Sequence, residues 1–524
     1  MKKIPEPLVV FAATFLFFLA TLAENFSGPH DSITYLTGIV DGYPLVNQHH
    51  LLYHYAAWCW LHLWQPIFPS VKDYYIIETF SAMWGSASLA VVYSFFRNRF
   101  SFSRLNAAVA IAVVAFSYGF WFYSVNIEVY APPLFFVLLS LYILTKKQLS
   151  AADWWKVILL HCLAIVFHQV NALFLPVILF KMWEQRRFIS VPKWFARYAA
   201  TGLLFVGGAY FIVGWIVEKQ NTLPKWIDWM RGYAGGSVFW YPLSKKTPVD
   251  ITYGFSHAFL GGHYVFQVPP VKKIIDASLS THSLSDELYI ARNISASMSV
   301  FLLVLTIILA AIMIWLLVRF IRNFRTINRS LPSILPPLII TFFVYSIFFT
   351  FWMPEILEFW ILQTVLVWLL LIGSLSAGRN PSSRKTLGIS AALAILLFCI
   401  NYFGSIRWMQ DKNNDWYFVK ANIVKETVAP ADLVILQDGW IVKDFMNYFT
   451  DVRVQAVPLK DSSHSKIDAL FNEALQQGHR VFILPGITNK LQAPTTEYLD
   501  SIRTKYSTRL KLHRKDEPEM WVIQ

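Results

Sequence analysis

Charge is scarce in this sequence. Asp, Glu, Lys and Arg make up 15% of the 524 residues, and 56% are hydrophobic, whereas soluble globular chains carry about 25% charge. That is too little charge to cover the surface of the roughly three soluble domains the length would otherwise allow. A disordered chain is excluded too, because disorder needs low hydrophobicity and high charge. Cysteine is nearly absent. Cys59, Cys162 and Cys399 stand far apart in apolar stretches, which excludes a disulfide scaffold or a Cys-based metal spacing and fits small buried hydrophobes. There is no fixed-period repeat, low-complexity tract or GxGxxG fingerprint. What remains is an integral membrane protein with a soluble appendage.

A span needs about 20 mostly apolar residues, and the apolar runs divide into eleven spans or near-spans: 7–23, 74–96, 105–124, 129–145, 154–167, 169–183, 197–217, 296–319, 333–352, 358–376 and 386–404, of which the short fifth and sixth could form one broken unit. The first follows Lys2 and Lys3 without a small-residue cleavage site, so it reads as a retained anchor. The net charge of +13 does not point to nucleic acid, because the basic residues sit in short clusters between apolar runs. With the N-terminus inside, the inner loops hold Arg97, Arg99 and Arg104; Lys146, Lys147 and Lys156; Arg186, Arg187, Lys193 and Arg197; Arg319, Arg322, Arg325 and Arg329; and Arg379, Arg384 and Lys385. The short connections near 125, 168 and 355 have no Lys or Arg, which is the positive-inside pattern. Segment 51–66, LLYHYAAWCWLHLWQP, would invert every later loop if it crossed; its histidines and tryptophans fit an interfacial helix on the outer surface.

Residues 24–73, 218–292 and 408–524 are therefore expected outside. The last of these is richer in charge. DLVILQ (432–437), VRVQAV (452–457) and RVFILP (480–485) alternate with helical patterns at 440–450, 466–477 and 492–504, the rhythm of a small α/β domain with a parallel sheet. Asp438 and Gly439 follow the first strand, where ligands of such sheets tend to bind; a structural role is the plainer reading.

Carboxylates are rare in the membrane half, so their positions matter. Asp31 lies in GPHDSITYL after a Gly-Pro turn and is also placed to cap the following helix. Glu128 lies in FWFYSVNIEVYAPP among Trp121, Tyr123 and Tyr130, where an ordinary rim carboxylate is the alternative. Glu355 and Glu358 follow a Pro354 break and either bind a polar ligand or end a span in water. His50 and His54 share a helix face at i, i+4, and with His49 can take a divalent metal or a phosphate. The Glu of a zincin helix is missing, so a metalloprotease is excluded; polar heads of an interfacial helix are the blander reading. His168 and Gln169 form an outer tip.

Two stretches, HDSITYLTGIVDGYPLVNQHHLLYHYAAWCWLHLW (30–64) and FWFYSVNIEVYAPPLFFVLLSLYILTK (120–146), resemble the GT-C class of integral-membrane glycosyltransferases. This class includes protein O-mannosyltransferases and aminoarabinose transferases. The motifs cover roughly 1–180; beyond that only the architecture is similar. Many members carry a second acid beside the first, or an HPP-type turn; here the loop reads DSITY and NQHHLLYH.

The resemblance implies a polytopic α-helical module (1–407, about eleven spans) with a C-terminal α/β domain (408–524) on the outer face. The short basic start, Met1-Lys2-Lys3, with no transit peptide, fits a bacterial inner membrane, and the charge pattern then puts the N-terminus in the cytoplasm and the C-terminal domain in the periplasm. The resemblance implies inverting transfer from a polyprenyl-phosphate-linked sugar to a protein, lipid or glycan acceptor. Asp31 is then the catalytic base. Glu128 assists by orienting the acceptor or, with Asp31, by binding a divalent ion (Mg, Mn or Ca). Phosphate is a good leaving group and needs no strong acid, whereas the acceptor hydroxyl needs a positioned base. Cations would hold the phosphate: His50, His54, Lys72, Arg231, Lys245, Lys246 and Arg292, arginine being suited to bidentate contact. His49, Tyr130, His168 and Glu358 complete the substrate-contact candidates. The competing readings are an O-antigen ligase or polymerase centred on 218–292, a lipid or glycan transporter or flippase, and a scaffolding subunit. A transporter should show repeats and ionisable residues deep in the spans, whereas here the acids sit at the rim.

Overall fold

The computed structural model describes residues 4–237, 239–278, 285–377, 383–437, 439–457, 464–484, 493–514 and 520–523. The chain forms two compact units. One holds Met1–Leu22, Gly38–Tyr264 and Ala296–Arg407; the other holds Ala23–Thr37, Val265–Ser295 and Trp408–Gln524.

The first unit is helical. Among the described residues, five helices are long and apolar enough to cross a membrane, and up to seven if each of two sharply bent pairs counts as one span. The 105–124 run is one of these pairs. Arg104–Ala115 and Tyr118–Ser124 meet at 80°. Ser117 sits at the corner, donating to the Val113 carbonyl (3.0 Å) and accepting from the Trp368 indole (2.8 Å). The other pair, Phe324–Ser330 and Leu335–Phe351, turns by 120°, where Pro336 and Pro337 begin a helix that cannot continue the previous one. The 51–66 segment yields a helix over Tyr53–Trp64. Its 12 residues reach about 18 Å at 1.5 Å per residue, short of a bilayer core of about 30 Å.

One end of this unit gathers basic residues. Glu6 takes hydrogen bonds from Tyr93 (2.8 Å), Arg97 (3.1 Å) and Arg104. Arg99 donates to the Tyr142 carbonyl (3.1 Å), Lys146 pairs with Asp153 (2.7 Å), and Gln185 bonds the Lys147 carbonyl (3.1 Å). The start of the first helix and the loops near 100, 146 and 186 thus share one end, as the charge pattern requires.

The second unit contains a five-stranded sheet of order β2-β1-β3-β5-β4: β1 Leu433–Leu436, β2 Arg453–Ala456, β3 Val481–Leu484, β4 Leu510–Arg514 and β5 Met520–Ile523. Both β2 and β3 run parallel to β1, as the strand–helix rhythm predicts. The β4–β5 pair is antiparallel and joins through β5 to β3, extending the sheet beyond the three strands expected from the sequence. Strand residues alternate between two cores. Val434, Leu436, Phe482 and Leu484 pack with Val424, Val442 and Met446; Leu433, Ile435, Val481 and Ile483 pack with Ile467, Phe471 and Ile502. Burial on both faces explains the continuous apolar strands. Asp438 lies outside the described residues, as does the side chain neighbourhood of Gly439.

Candidate functional site

The end of the first unit away from the basic cluster is built on four imidazoles. The Gln169 amide donates to the His49 carbonyl (2.8 Å) and the Leu52 amide to the Val166 carbonyl (3.2 Å), tying the 49–52 turn to the 166–169 turn. These bonds place the His50 ring 5.2 Å from His168, 6.3 Å from His54 and 6.4 Å from His49. All four residues are buried. Burial holds His49 and His54 down to about 4 and His168 to about 3; His50 is also held well below its ordinary value, by burial and by its imidazole neighbours. The cluster is uncharged at neutral pH, and each ring then has one N–H donor and one acceptor nitrogen. His168 Nδ1 accepts from the Val170 amide (3.3 Å), which leaves its proton on Nε2.

Carboxylates adjoin this cluster. Tyr130 lies 5.3 Å from the His168 ring and donates to Glu358 at 2.6 Å; Tyr123 donates to the other Glu358 oxygen at 2.8 Å. Glu355 accepts from Tyr241 (2.8 Å). Glu128 is buried, accepts from the Val129 amide (3.1 Å), and with burial drives the Tyr53 phenol pKa upward. A small cleft of about 50 Å³ opens between Tyr130, His168, Asn171 and Glu358 on its polar side and Val137 and Phe349 on its apolar side. An apolar groove of about 670 Å³ runs along Trp240, Ile347, Phe348 and Phe351.

Gly232 fixes one wall. Its φ of +47° and ψ of −135° suit glycine alone, and a Cβ there would lie 2.6 Å from His49 Nε2 and 2.4 Å from Gln48 Nε2. Gly232→Ala is expected to lower the thermal midpoint of the purified protein, with backbone strain of roughly 1–3 kcal/mol. An unchanged melting curve would show that this wall yields freely.

Asp31 belongs to the second unit. It precedes the helix Ser32–Asp41, and its carbonyl accepts the first helical bond from the Tyr35 amide (3.0 Å). Its carboxylate accepts from the Tyr35 hydroxyl (3.1 Å). Burial raises its pKa above the ordinary carboxylate value, and the Tyr35 bond opposes this more weakly. A carboxylate held this way ahead of a helix is a better proton acceptor than a solvated one.

The structure thus brings His49, His50, His54, His168, Tyr130 and Glu358 to one end of the first unit. It does not place Lys72 or Arg231 in that buried cluster. Lys72 is exposed over the Tyr74 ring, and Arg231 is exposed at the end of the helix Leu223–Arg231. Lys245 is exposed, and Lys246 pairs with Asp250 (3.3 Å). Arg292, in the second unit, covers the Tyr289 ring and donates to the Asn413 carbonyl (3.3 Å). Tyr35 and Asn171 were not singled out in the sequence. Tyr35 was within reach, four residues after Asp31 on a predicted helix; Asn171 offered no signal. Among the described residues no three His, Cys, Asp or Glu side chains converge as a metal site would require. No step below uses a metal ion.

No family model matches the chain, and no curated protein matches it in sequence. Solved structures do match in fold. ArnT from Cupriavidus metallidurans, in the apo state, superposes with a TM-score of 0.57 at 10% identity, over 98% of this chain and 97% of that one. The same protein bound to undecaprenyl phosphate gives 0.58, with the same identity and coverage. The Archaeoglobus fulgidus oligosaccharyltransferase, in a complex with Zn and sulfate, gives 0.44 at 10% identity, over 91% of this chain and 68% of that one. The GT-C resemblance of the two sequence stretches is thus matched by an ArnT-like fold over nearly the whole chain.

Proposed function

We propose that this protein is a membrane glycosyltransferase that moves a sugar from a polyprenyl-phosphate carrier to a hydroxyl acceptor, with inversion, and that Asp31 is its general base. The observation that carries the reading is the state of Asp31: a carboxylate made more basic by burial, fixed by one phenol, at the start of a helix. The ArnT-like fold supports it, because that protein binds undecaprenyl phosphate. In the reaction Asp31 takes the acceptor proton, the acceptor oxygen bonds to the anomeric carbon, and the sugar–phosphate bond breaks. The carrier phosphate leaves with the electron pair.

In the first unit, neutral imidazoles at His49, His50, His54 and His168 offer N–H donors, and Glu358 accepts hydrogen bonds from the Tyr123 and Tyr130 hydroxyls. The groove along Trp240 and Phe348 suits an isoprenoid tail. We assign this end of the fold, and the C-terminal domain, to the outer membrane face, with the basic end cytoplasmic and the eleven apolar runs in the bilayer.

The test is mass spectrometry of glycans, lipids and envelope proteins from a strain lacking the protein and from the complemented strain. One sugar modification should vanish and return, naming donor and acceptor together. Identical profiles, with transport or flipping in proteoliposomes, would overturn the reading.

A further inference from the structure

The segment that carries Asp31 is gripped by the C-terminal α/β domain, in the same compact unit. Asp415 is fully buried and stands at the N-terminus of the helix Trp416–Thr427, where it accepts from the Tyr417 amide (3.0 Å) and the Phe418 amide (2.9 Å). That is an ordinary helix cap. The same carboxylate also accepts from the Phe26 amide (2.6 Å), the Ser27 amide (3.1 Å) and the Ser27 hydroxyl. One side chain thus closes the end of a C-terminal helix and fixes a chain segment nearly 390 residues away.

The path from there to Asp31 has little slack. Asn25 Oδ1 accepts from the Gly28 amide (2.9 Å), the His30 amide donates to the Ser27 carbonyl (3.1 Å), and the Asp31 amide donates to the Pro29 carbonyl (2.6 Å). His30 sits at a φ of 55°. A second grip lies beyond Asp31. The Thr34 hydroxyl donates to Asp444 at 2.6 Å, from the helix Gly439–Phe449. Phe26 packs 6.2 Å from the Phe449 ring of that helix. Two aspartates from two C-terminal helices therefore hold the chain three to five residues on either side of Asp31.

Their chemistry goes beyond what packing alone needs. A buried carboxylate is costly unless several donors satisfy it; Asp415 has five, and three come from the Asp31 segment. Resting on the reading of Asp31 as base, we propose that Asp415 and Asp444 are positioning residues for it, and that presenting this carboxylate is a function of the α/β domain.

Two readouts test this on the full-length protein in detergent and in cells. The first is amide hydrogen exchange over residues 24–37. A hydrogen bond to a charged group contributes enough that its loss should speed exchange around Asp31 by about tenfold or more. Thr34→Val, which keeps shape and loses the hydroxyl, should do so while exchange in the 433–436 and 481–484 strands stays at the wild-type rate. Asp444→Leu should behave like Thr34→Val. Thr34→Ser should restore slow exchange. The second readout is the sugar-modified product in complemented cells: it should fall in Thr34→Val and return in Thr34→Ser. Asp415→Ala should loosen 26–31; if it loosens the strands as well, it has unfolded the domain and the Thr34 pair decides. Unchanged exchange in both Thr34→Val and Asp444→Leu would overturn the grip. Faster exchange with full product would overturn its role in presenting Asp31. Full product in Asp31→Asn would instead remove the base assignment and leave the measured grip standing.

Discussion

Replacing Asp31 by Asn is expected to abolish sugar transfer while expression and membrane insertion stay at wild-type level. Asn keeps the size of the side chain, and its oxygen still accepts from the Tyr35 hydroxyl, so the local fold has no reason to change. What it loses is a site for the acceptor proton. Phosphate leaves readily without an acid, whereas a hydroxyl is a poor nucleophile until its proton is removed, so the base carries the chemical step. General-base contributions suggest a fall of about a thousandfold. The pH dependence follows from the direction of the shift. Asp31 must be ionised to act, and burial sets its pKa above the ordinary value of 3.8. Activity should fall with acid from a higher pH than a solvated carboxylate would give. For stability the sign is reversed: a raised carboxyl pKa means the folded state holds the proton more tightly, so this group favours the fold as pH falls. Product at the wild-type level in Asp31→Asn, read by the same mass spectrometry, would sink the assignment.

Much of the architecture was legible because membrane folding uses coarse signals. Runs of about 14–24 apolar residues and one-sided arginines are long-range patterns, and the bonds of Glu6 to Arg97 and Arg104 join the start of the first helix to the loop near 100. The parallel strands were legible for a similar reason: burial on both faces leaves unbroken apolar runs such as Leu433–Leu436. The hairpin β4–β5 was not, because Leu510 and Leu512 alternate with Lys511 and His513, so the stretch reads as a surface segment until β5 pairs with it. The bend at Ser117 was hidden too; only a tertiary partner, the Trp368 indole, shows why the helix turns there.

The candidate site was legible in its members and illegible in its grouping. His50 and His54 could be joined by helical spacing, but His168 reaches them only because backbone bonds tie 49–52 to 166–169. Glu128 and Glu358 looked alike as rim carboxylates. The structure separates them, one beside the Val129 amide and one between two phenols. Asp415 carried a signal that went unread: an Asp before Trp-Tyr-Phe-Val is a helix cap. Nothing local could reveal that the same carboxylate also binds residues 26 and 27.

Acid should weaken the first unit, and His168→Gln should reduce that sensitivity. Free imidazole titrates near 6.5, while burial sets His49 and His54 at about 4 and His168 at about 3 in the fold. Between those values the unfolded chain binds protons that the folded chain refuses. Stability therefore rises with pH across this window: it is fully present above about 6.5 and is lost as pH falls toward 4. Three imidazole rings within 5.2–6.4 Å of His50 sharpen the effect, because the first proton accepted raises the cost of the next. Thermal midpoints followed by tryptophan fluorescence from pH 7.5 to 4.5 should drop steeply for the natural sequence. In His168→Gln one such group is gone, and the amide can still accept the Val170 N–H, so the drop should be shallower even if the midpoint at pH 7.5 is lower. The shifts at Asp31, Asp415 and Asp444 act in the opposite sense and are common to both proteins, so the difference between the two slopes isolates the histidine. Parallel slopes would mean that the buried imidazoles titrate alike in the folded and unfolded chain, and the uncharged cluster assigned to the site at neutral pH would have to be given up.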